Sequence, residues 1–119
     1  MPNSVASLAA AIFLSFAAIP AVAEADVDLE AGRAIFNETA EPSCAICHSL
    51  VDAEAEGEVG PNLDAMEGLD LDRIRAAVAG GVGVMPAFDE VLSEEEIETV
   101  SAYVAAVAGK DANATGISN

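Results

Sequence analysis

Histidine, cysteine and basic side chains are scarce in this sequence. Its 119 residues include one histidine, two cysteines, four Lys or Arg residues and no tryptophan. So few cations exclude a nucleic-acid-binding surface, which neutralises phosphates with Lys and Arg. Two cysteines are also too few for an iron–sulfur cluster, because such clusters take about four protein thiolates.

Acidic residues dominate the remaining charge. The 21 Asp and Glu residues give a formal net charge of −17 at pH 7. A surface of this charge repels nucleic acid and anionic lipid, and it attracts a basic surface mainly by speeding the encounter. We therefore predict protein partners that present a basic docking patch, and no binding to nucleic acid.

The first 23 residues have the pattern of a secretion signal. No charged residue occurs between Val5 and Ala23, and an apolar run over residues 8–19 is followed by Pro20 and Ala21-Val22-Ala23. The last three residues match a small-x-small cleavage site. We expect residues 1–23 to be a removed signal peptide that directs the protein to the periplasm. An uncleaved membrane anchor is the alternative.

The rest of the chain has the length of one small domain. Residues 24–110 carry the helical patterns, and residues 111–119 have the composition of a polar C-terminal tail. No second apolar run is long enough to span a bilayer. We therefore expect a soluble mature protein with no membrane contact after signal cleavage.

Two segments of this domain begin with a good N-cap and continue with apolar residues at helical spacing. The first starts after Asp28 and ends within residues 37–40, and the second starts after Asp70 and stops at Gly80-Gly81. Residues 44–50 are predicted to add one or two helical turns. Residues 51–59 are predicted to be a loose, solvated loop with no functional residue.

A third helix is predicted near the C-terminus. Ser93 and Glu96 form a capping-box pattern, and Gly109 follows as a stop signal. Its predicted apolar face consists of Ile97, Val100, Tyr103, Val104 and Val107. No convincing period-2 strand occurs in the sequence, so the predicted fold class is all-α.

The chemically most specific stretch is Cys44-Ala45-Ile46-Cys47-His48. Two thiols three positions apart, with an imidazole directly after the second, have the spacing required for covalent attachment of a c-type haem. On a helical turn, Cys44 and Cys47 project to the same side and can each form a thioether. We predict one covalent haem c, with His48 beneath the iron.

Other uses of these residues fit the sequence less well. A thioredoxin-like dithiol would lie beside a strand–helix unit, which the sequence does not contain. A zinc site would have three crowded ligands, and a disulfide between Cys44 and Cys47 would cross-link almost nothing.

The second axial ligand must come from elsewhere in the chain. No other histidine is present, so methionine is left as the soft ligand for a low-spin haem. We favour Met85, in an extended segment before a proline, over Met66, whose loop would have to fold straight back. The carbonyl of Pro61 is the predicted acceptor for the other ring nitrogen of His48.

Two of the four basic residues, Arg73 and Arg75, lie on the predicted second helix. One of them is expected to meet a haem propionate. Surface pairing with Asp70 or Asp72 is an equal alternative.

Together these motifs resemble the small class I monohaem cytochromes c of bacteria. The resemblance covers about residues 29–108 and is carried by Cys44–His48, Gly60–Leu63, Met85–Pro86 and the C-terminal helix with Tyr103. It implies a cytochrome c-like orthogonal helix bundle around the covalently attached haem. It also implies that Gly32 and Phe36 cross Tyr103 where the first and last helices pack.

By the same resemblance, His48 is the proximal ligand, Met85 is the distal ligand, and Pro61 bonds the His48 ring. A site closed on both sides of the iron suits electron transfer better than substrate activation. We predict a periplasmic one-electron carrier that exchanges electrons with redox protein partners, is not an enzyme and takes no small-molecule substrate. The alternatives are a haem c subunit of a periplasmic dehydrogenase or oxidase complex, and a sensor in which Met85 leaves the iron.

Overall fold

A computed structural model describes residues 9–15 and 26–110. Most of the predicted signal peptide and the whole predicted tail, residues 111–119, lie outside the described residues. No helix within the described part is long and apolar enough to cross a membrane.

Helices are the main regular structure of the described domain, in agreement with the all-α prediction. In chain order the helical elements are α1 (Leu29–Ala34), a π-helical turn (Ile35–Thr39), α2 (Cys44–Cys47), a 3-10 turn (Leu63–Ala65), α3 (Leu71–Gly80) and α4 (Glu94–Val107). A short antiparallel hairpin pairs β1 (Ser49–Leu50) with β2 (Ala55–Glu56).

The helix boundaries follow the capping residues that the sequence indicates. Asp28 and Asp70 each accept a hydrogen bond from the backbone N–H three residues later. Ser93 and Glu96 form the reciprocal capping box at the start of α4. Gly81 ends α3 with a φ of 74°, a left-handed conformation that favours glycine. The three predicted helices are therefore confirmed.

Helices α1 and α4 cross at Gly32. A Cβ atom at this position would overlap the Cβ of Tyr103, so only glycine permits this approach of the two helices. The rings of Phe36 and Tyr103 meet edge to face, with centroids 6.2 Å apart. The crossing implied by the family resemblance is therefore confirmed.

The segment from Ser49 to Val59 differs from its prediction. The helical turn ends at Cys47, and residues 49–50 are extended rather than helical. Ala53 and Ala55 are buried, so the segment is a packed hairpin and the prediction of a loose loop is wrong. The physical reason is tertiary, because Asp52 accepts a hydrogen bond from Tyr103 and thereby holds the hairpin against α4.

Candidate functional site

The two cysteines lie on the single turn of α2. Ser43 caps this turn, because its Oγ accepts the N–H of Ala45 at 3.2 Å and donates to the carbonyl of Asn37 at 2.9 Å. The turn closes with a hydrogen bond from His48 N to Cys44 O of 2.9 Å. The cap thus fixes the motif against the end of the first helical segment, with both thiols on the wall of one cavity.

The imidazole of His48 is held from one side by residues 60 and 61. Its Nδ1 lies 2.8 Å from the carbonyl oxygen of Pro61. Gly60 N donates to Cys47 O at 2.6 Å, and a Cβ atom on Gly60 would lie 2.6 Å from His48 Cε1. The backbone therefore packs flat against the ring, and Nε2 is the ring nitrogen left available to a metal ion.

A cavity of about 690 Å³ adjoins this motif, a size suited to a large organic cofactor. Its chemically distinctive wall residues are Cys44, Cys47, His48, Met66, Arg73 and Met85. The rest of the wall is mainly apolar, including Phe36, Ile74, Val78, Phe88, Val100 and Val104. An apolar wall with two free thiols, one imidazole and thioethers fits a haem with covalent tethers.

Met85 follows a two-residue hairpin loop. Backbone hydrogen bonds join Val82 N to Met85 O at 3.1 Å and Met85 N to Val82 O at 2.9 Å. Gly83, the first central residue of this turn, has a φ of 58°, as a type II′ turn requires. Downstream, Phe88 N donates to Val78 O at 2.9 Å and pins the segment to α3. Met85 is thus presented from a turn fixed at both ends.

Met66 also lies on the cavity wall. It follows the 3-10 turn and has the backbone conformation of an extended residue. The fold therefore brings both thioethers to the cavity, and Met85 as the axial ligand stays a prediction.

The two arginines of α3 have different surroundings. Arg75 pairs with Glu98 at 2.6 Å and with Asp72 at 2.9 Å, so its predicted pairing with Asp72 is confirmed. Arg73 donates to the carbonyl of Glu67 at 3.1 Å and lies on the cavity wall. Among the described wall residues it is the one cation.

The Cys44 thiol is partly buried at the cavity wall, and this burial raises its pKa to about 11. A redox-active Cys-x-x-Cys site typically has the opposite shift, a lowered thiol pKa. Over residues 9–15 and 26–110, no three His, Cys, Asp or Glu side chains are arranged to hold a metal ion.

Gly57 is a site residue that sequence reasoning missed. A Cβ atom there would lie 2.6 Å from the carbonyl carbon of Cys47 and 2.6 Å from the Ile46 oxygen. The glycine therefore lets the hairpin approach the backbone of α2 closely. Its position inside an acidic run hid this packing role, because the surrounding glutamates indicate only a solvated surface.

A family model of c-type cytochromes matches most of this domain. The model, described as cytochrome C oxidase, cbb3-type, subunit III, aligns with residues 27–104, which include the whole Cys44–His48 motif and Met85. The chain belongs to the c-type cytochromes. The cofactor of this cytochrome is therefore one covalently bound haem c, and Cys44 and Cys47 match the motif that carries it.

Individual relatives of this cytochrome agree with the family match. Cytochrome c6 of Rippkaea orientalis is 36% identical over 112 residues, covering 88% of this chain and 94% of the relative. Cytochrome c6 of Leptolyngbya boryana is 34% identical over 80 residues, covering 65% of this chain and 89% of the relative. The cytochrome is thus an electron-transfer haem protein.

A solved structure supports the same fold. The crystal structure of the c-type cytochrome SorU from Sinorhizobium meliloti is 57% identical in sequence, with a TM-score of 0.64. The match covers 69% of this chain and 92% of that chain. The predicted cytochrome c-like helix bundle is therefore confirmed.

Proposed function

We propose that this cytochrome is a periplasmic one-electron carrier whose haem iron is ligated by His48 and Met85. The observation that carries the proposal is the meeting of both side chains at one largely apolar cavity. A bound haem c supplies a reversible one-electron couple at its iron. If His48 and Met85 both held the iron, the group would supply electron transfer rather than substrate activation.

The protein contributes orientation and exclusion of water. Cys44 and Cys47 tether the cofactor, and the carbonyl of Pro61 holds the proton on His48 Nδ1 so that Nε2 is free to ligate. The apolar wall would exclude water from the bound group. The segments that carry His48 and Met85 would have to move little, because backbone hydrogen bonds hold both of them.

Met85 is favoured over Met66 because its backbone is more tightly constrained. It closes the Val82–Met85 turn with two hydrogen bonds, whereas Met66 makes one such bond, from its N–H to Leu63 O at 3.3 Å. A residue whose backbone is already held in place would lose less conformational entropy on ligating the iron.

Arg73 is the arginine that would meet a haem propionate. Arg73 lies on the cavity wall, whereas the guanidinium of Arg75 already pairs with two carboxylates. A propionate beside Arg73 would gain a charge-assisted hydrogen bond.

Location and partner rest on the sequence pattern and the net charge. The uncharged apolar segment ending at Ala21-Val22-Ala23 supports export to the periplasm. The net charge of −17 supports a partner with a basic docking patch. The rate of electron exchange with such a partner should then fall steeply as ionic strength rises, and a flat dependence would count against electrostatic docking.

A second candidate is a haem c subunit of a larger redox complex. The description of the matching family model, an oxidase subunit, favours it. Co-purification with a catalytic chain in equal amounts would select this candidate over the free carrier.

Methionine substitution tests the ligand assignment. In the holoprotein, Met85→Ala should abolish the sulfur-to-iron charge-transfer band of the oxidised form, while Met66→Ala should leave it. The reverse result would make Met66 the ligand. Ready binding of carbon monoxide by the reduced wild-type protein at neutral pH would instead contradict a closed site and support a sensor.

A further inference from the structure

Asp64 is a half-buried carboxylate that joins three parts of the domain. Its Oδ2 accepts the N–H of Val51 at 2.8 Å, and its Oδ1 accepts the N–H of Gly109 at 2.8 Å. Its own N–H donates to Asn62 Oδ1 at 3.0 Å. The residue therefore links the hairpin turn after β1, the turn after Pro61 and the residues that follow α4.

The hydrogen bond between Val51 and Asp64 lies next to the one between His48 and Pro61. His48 bonds to Pro61, and Val51 bonds to Asp64, so each bond joins residues separated by 13 positions. The chain segments 48–51 and 61–64 therefore lie side by side in one register. The imidazole of His48 is at one end of this pair of segments, and the carboxylate of Asp64 is at the other. A slip of either segment would disturb both bonds.

The Asp64 bonds are the stronger anchor of this pair of segments. Both are charge-assisted, and such hydrogen bonds are about twice as strong as neutral ones. The bond between His48 and Pro61 has no such support of its own, because its acceptor is a neutral carbonyl on a loop. The position of that carbonyl thus depends on the hydrogen bonds that hold Asp64, three residues later in the same turn.

We propose that Asp64 is a positioning residue that fixes the Pro61 carbonyl against His48 Nδ1 and thereby sets the reduction potential of the haem. The proposal rests on the proposed function, in which His48 ligates the iron. A firm bond to Nδ1–H makes the imidazole a better electron donor and so favours the oxidised iron. Loosening this bond should raise the reduction potential.

The test compares three variants of the holoprotein. Asp64→Asn removes the charge and one acceptor, and Asp64→Glu keeps the charge but displaces it by one methylene. Glu67→Gln is the matched control, because it removes one charge from an exposed side chain in the same loop. The measurements are the reduction potential and the exchange rate of the His48 ring N–H by proton NMR.

We expect Asp64→Asn to speed exchange of the ring N–H by about tenfold and to raise the potential. Asp64→Glu should shift both in the same direction, and Glu67→Gln should leave the exchange rate unchanged. Because Asp64→Glu keeps the net charge, it also serves as the second variant if Asp64→Asn does not fold.

Two results would overturn the proposal. If Asp64→Glu matches the wild type while Asp64→Asn raises the potential, the effect is one of charge alone. If the ring N–H exchanges at the wild-type rate in both variants, Asp64 does not act through His48. Failure of the proposed function is a separate outcome, because the oxidised wild type would then lack paramagnetically shifted His48 ring protons.

Discussion

Tyr103 donates a hydrogen bond to Asp52 across 2.6 Å, and the same carboxylate oxygen accepts from Arg33 at 2.8 Å. Tyr103 is fully buried, so its phenol needs a partner inside the fold. One carboxylate on the hairpin therefore satisfies groups from both α1 and α4. Tyr103 also forms the crossing of the two helices, so this junction ties the hairpin to the core.

Removal of the Tyr103 phenol oxygen should lower the free energy of unfolding more than removal of the Arg33 guanidinium. Tyr103→Phe breaks a hydrogen bond to a charged group, and we expect the free energy of unfolding to fall by about 1.5–3 kcal/mol. Arg33→Met breaks a half-exposed ion pair, whose contribution is small because water screens the two charges. Denaturant unfolding of the holoprotein at neutral pH measures both. A larger loss for Arg33→Met would contradict this order.

The same junction should make stability depend on acid pH. The hydrogen bond from Tyr103 and then that from Arg33 lower the pKa of Asp52, with burial opposing them. A lowered pKa in the folded state adds stability above the unfolded value, and this stability is lost as pH falls through the folded value. The difference in unfolding free energy between wild type and Asp52→Asn should therefore be largest at neutral pH and shrink below about pH 4. A constant difference would show that Asp52 stays protonated or unpaired.

Gly32→Ala should be strongly destabilising because its Cβ would overlap the root of the Tyr103 side chain, which cannot rotate away. We expect a loss of about 2–3 kcal/mol in the free energy of unfolding. Gly80→Ala is the control, since a Cβ atom there would meet no atom within 4 Å outside its chain neighbours and its own helix backbone. Equal effects of the two substitutions would mean that the crossing is less tight than the contact indicates.

Substitutions of Arg73 and Arg75 in α3 should have different effects on the pH dependence of the reduction potential. Arg73→Gln should change the pH dependence of the reduction potential, because a propionate near Arg73 loses its cation and titrates at higher pH. Arg75→Gln should leave that pH dependence unchanged, since its partners are Asp72 and Glu98. Redox titration over a range of pH decides between them. An unchanged profile for Arg73→Gln would place the propionates elsewhere.

Much of this domain could be predicted because its signals are local. The N-caps at Asp28, Asp70 and Ser93 are set by bonds within four residues, so sequence pattern alone locates the helices. The covalent haem motif is likewise complete within Cys44–His48.

The hairpin after the haem motif was mispredicted because its stability comes from a distant partner. Asp52 is one of many acidic residues in the sequence, and its bond to Tyr103 spans 51 positions. The role of Asp64 is hidden for the same reason, because its acceptor oxygens serve backbone groups at Val51 and Gly109. No local sequence pattern indicates which carboxylate will accept such long-range hydrogen bonds.

The contact between Gly32 and Tyr103 joins the first and last helices of the described domain, so it closes a loop that contains nearly all the other elements. Closing a long loop has an entropic cost that local helix formation does not offset. The two terminal helices therefore support each other across the whole length of the domain. We expect truncation of either helix to destabilise the elements between them as well.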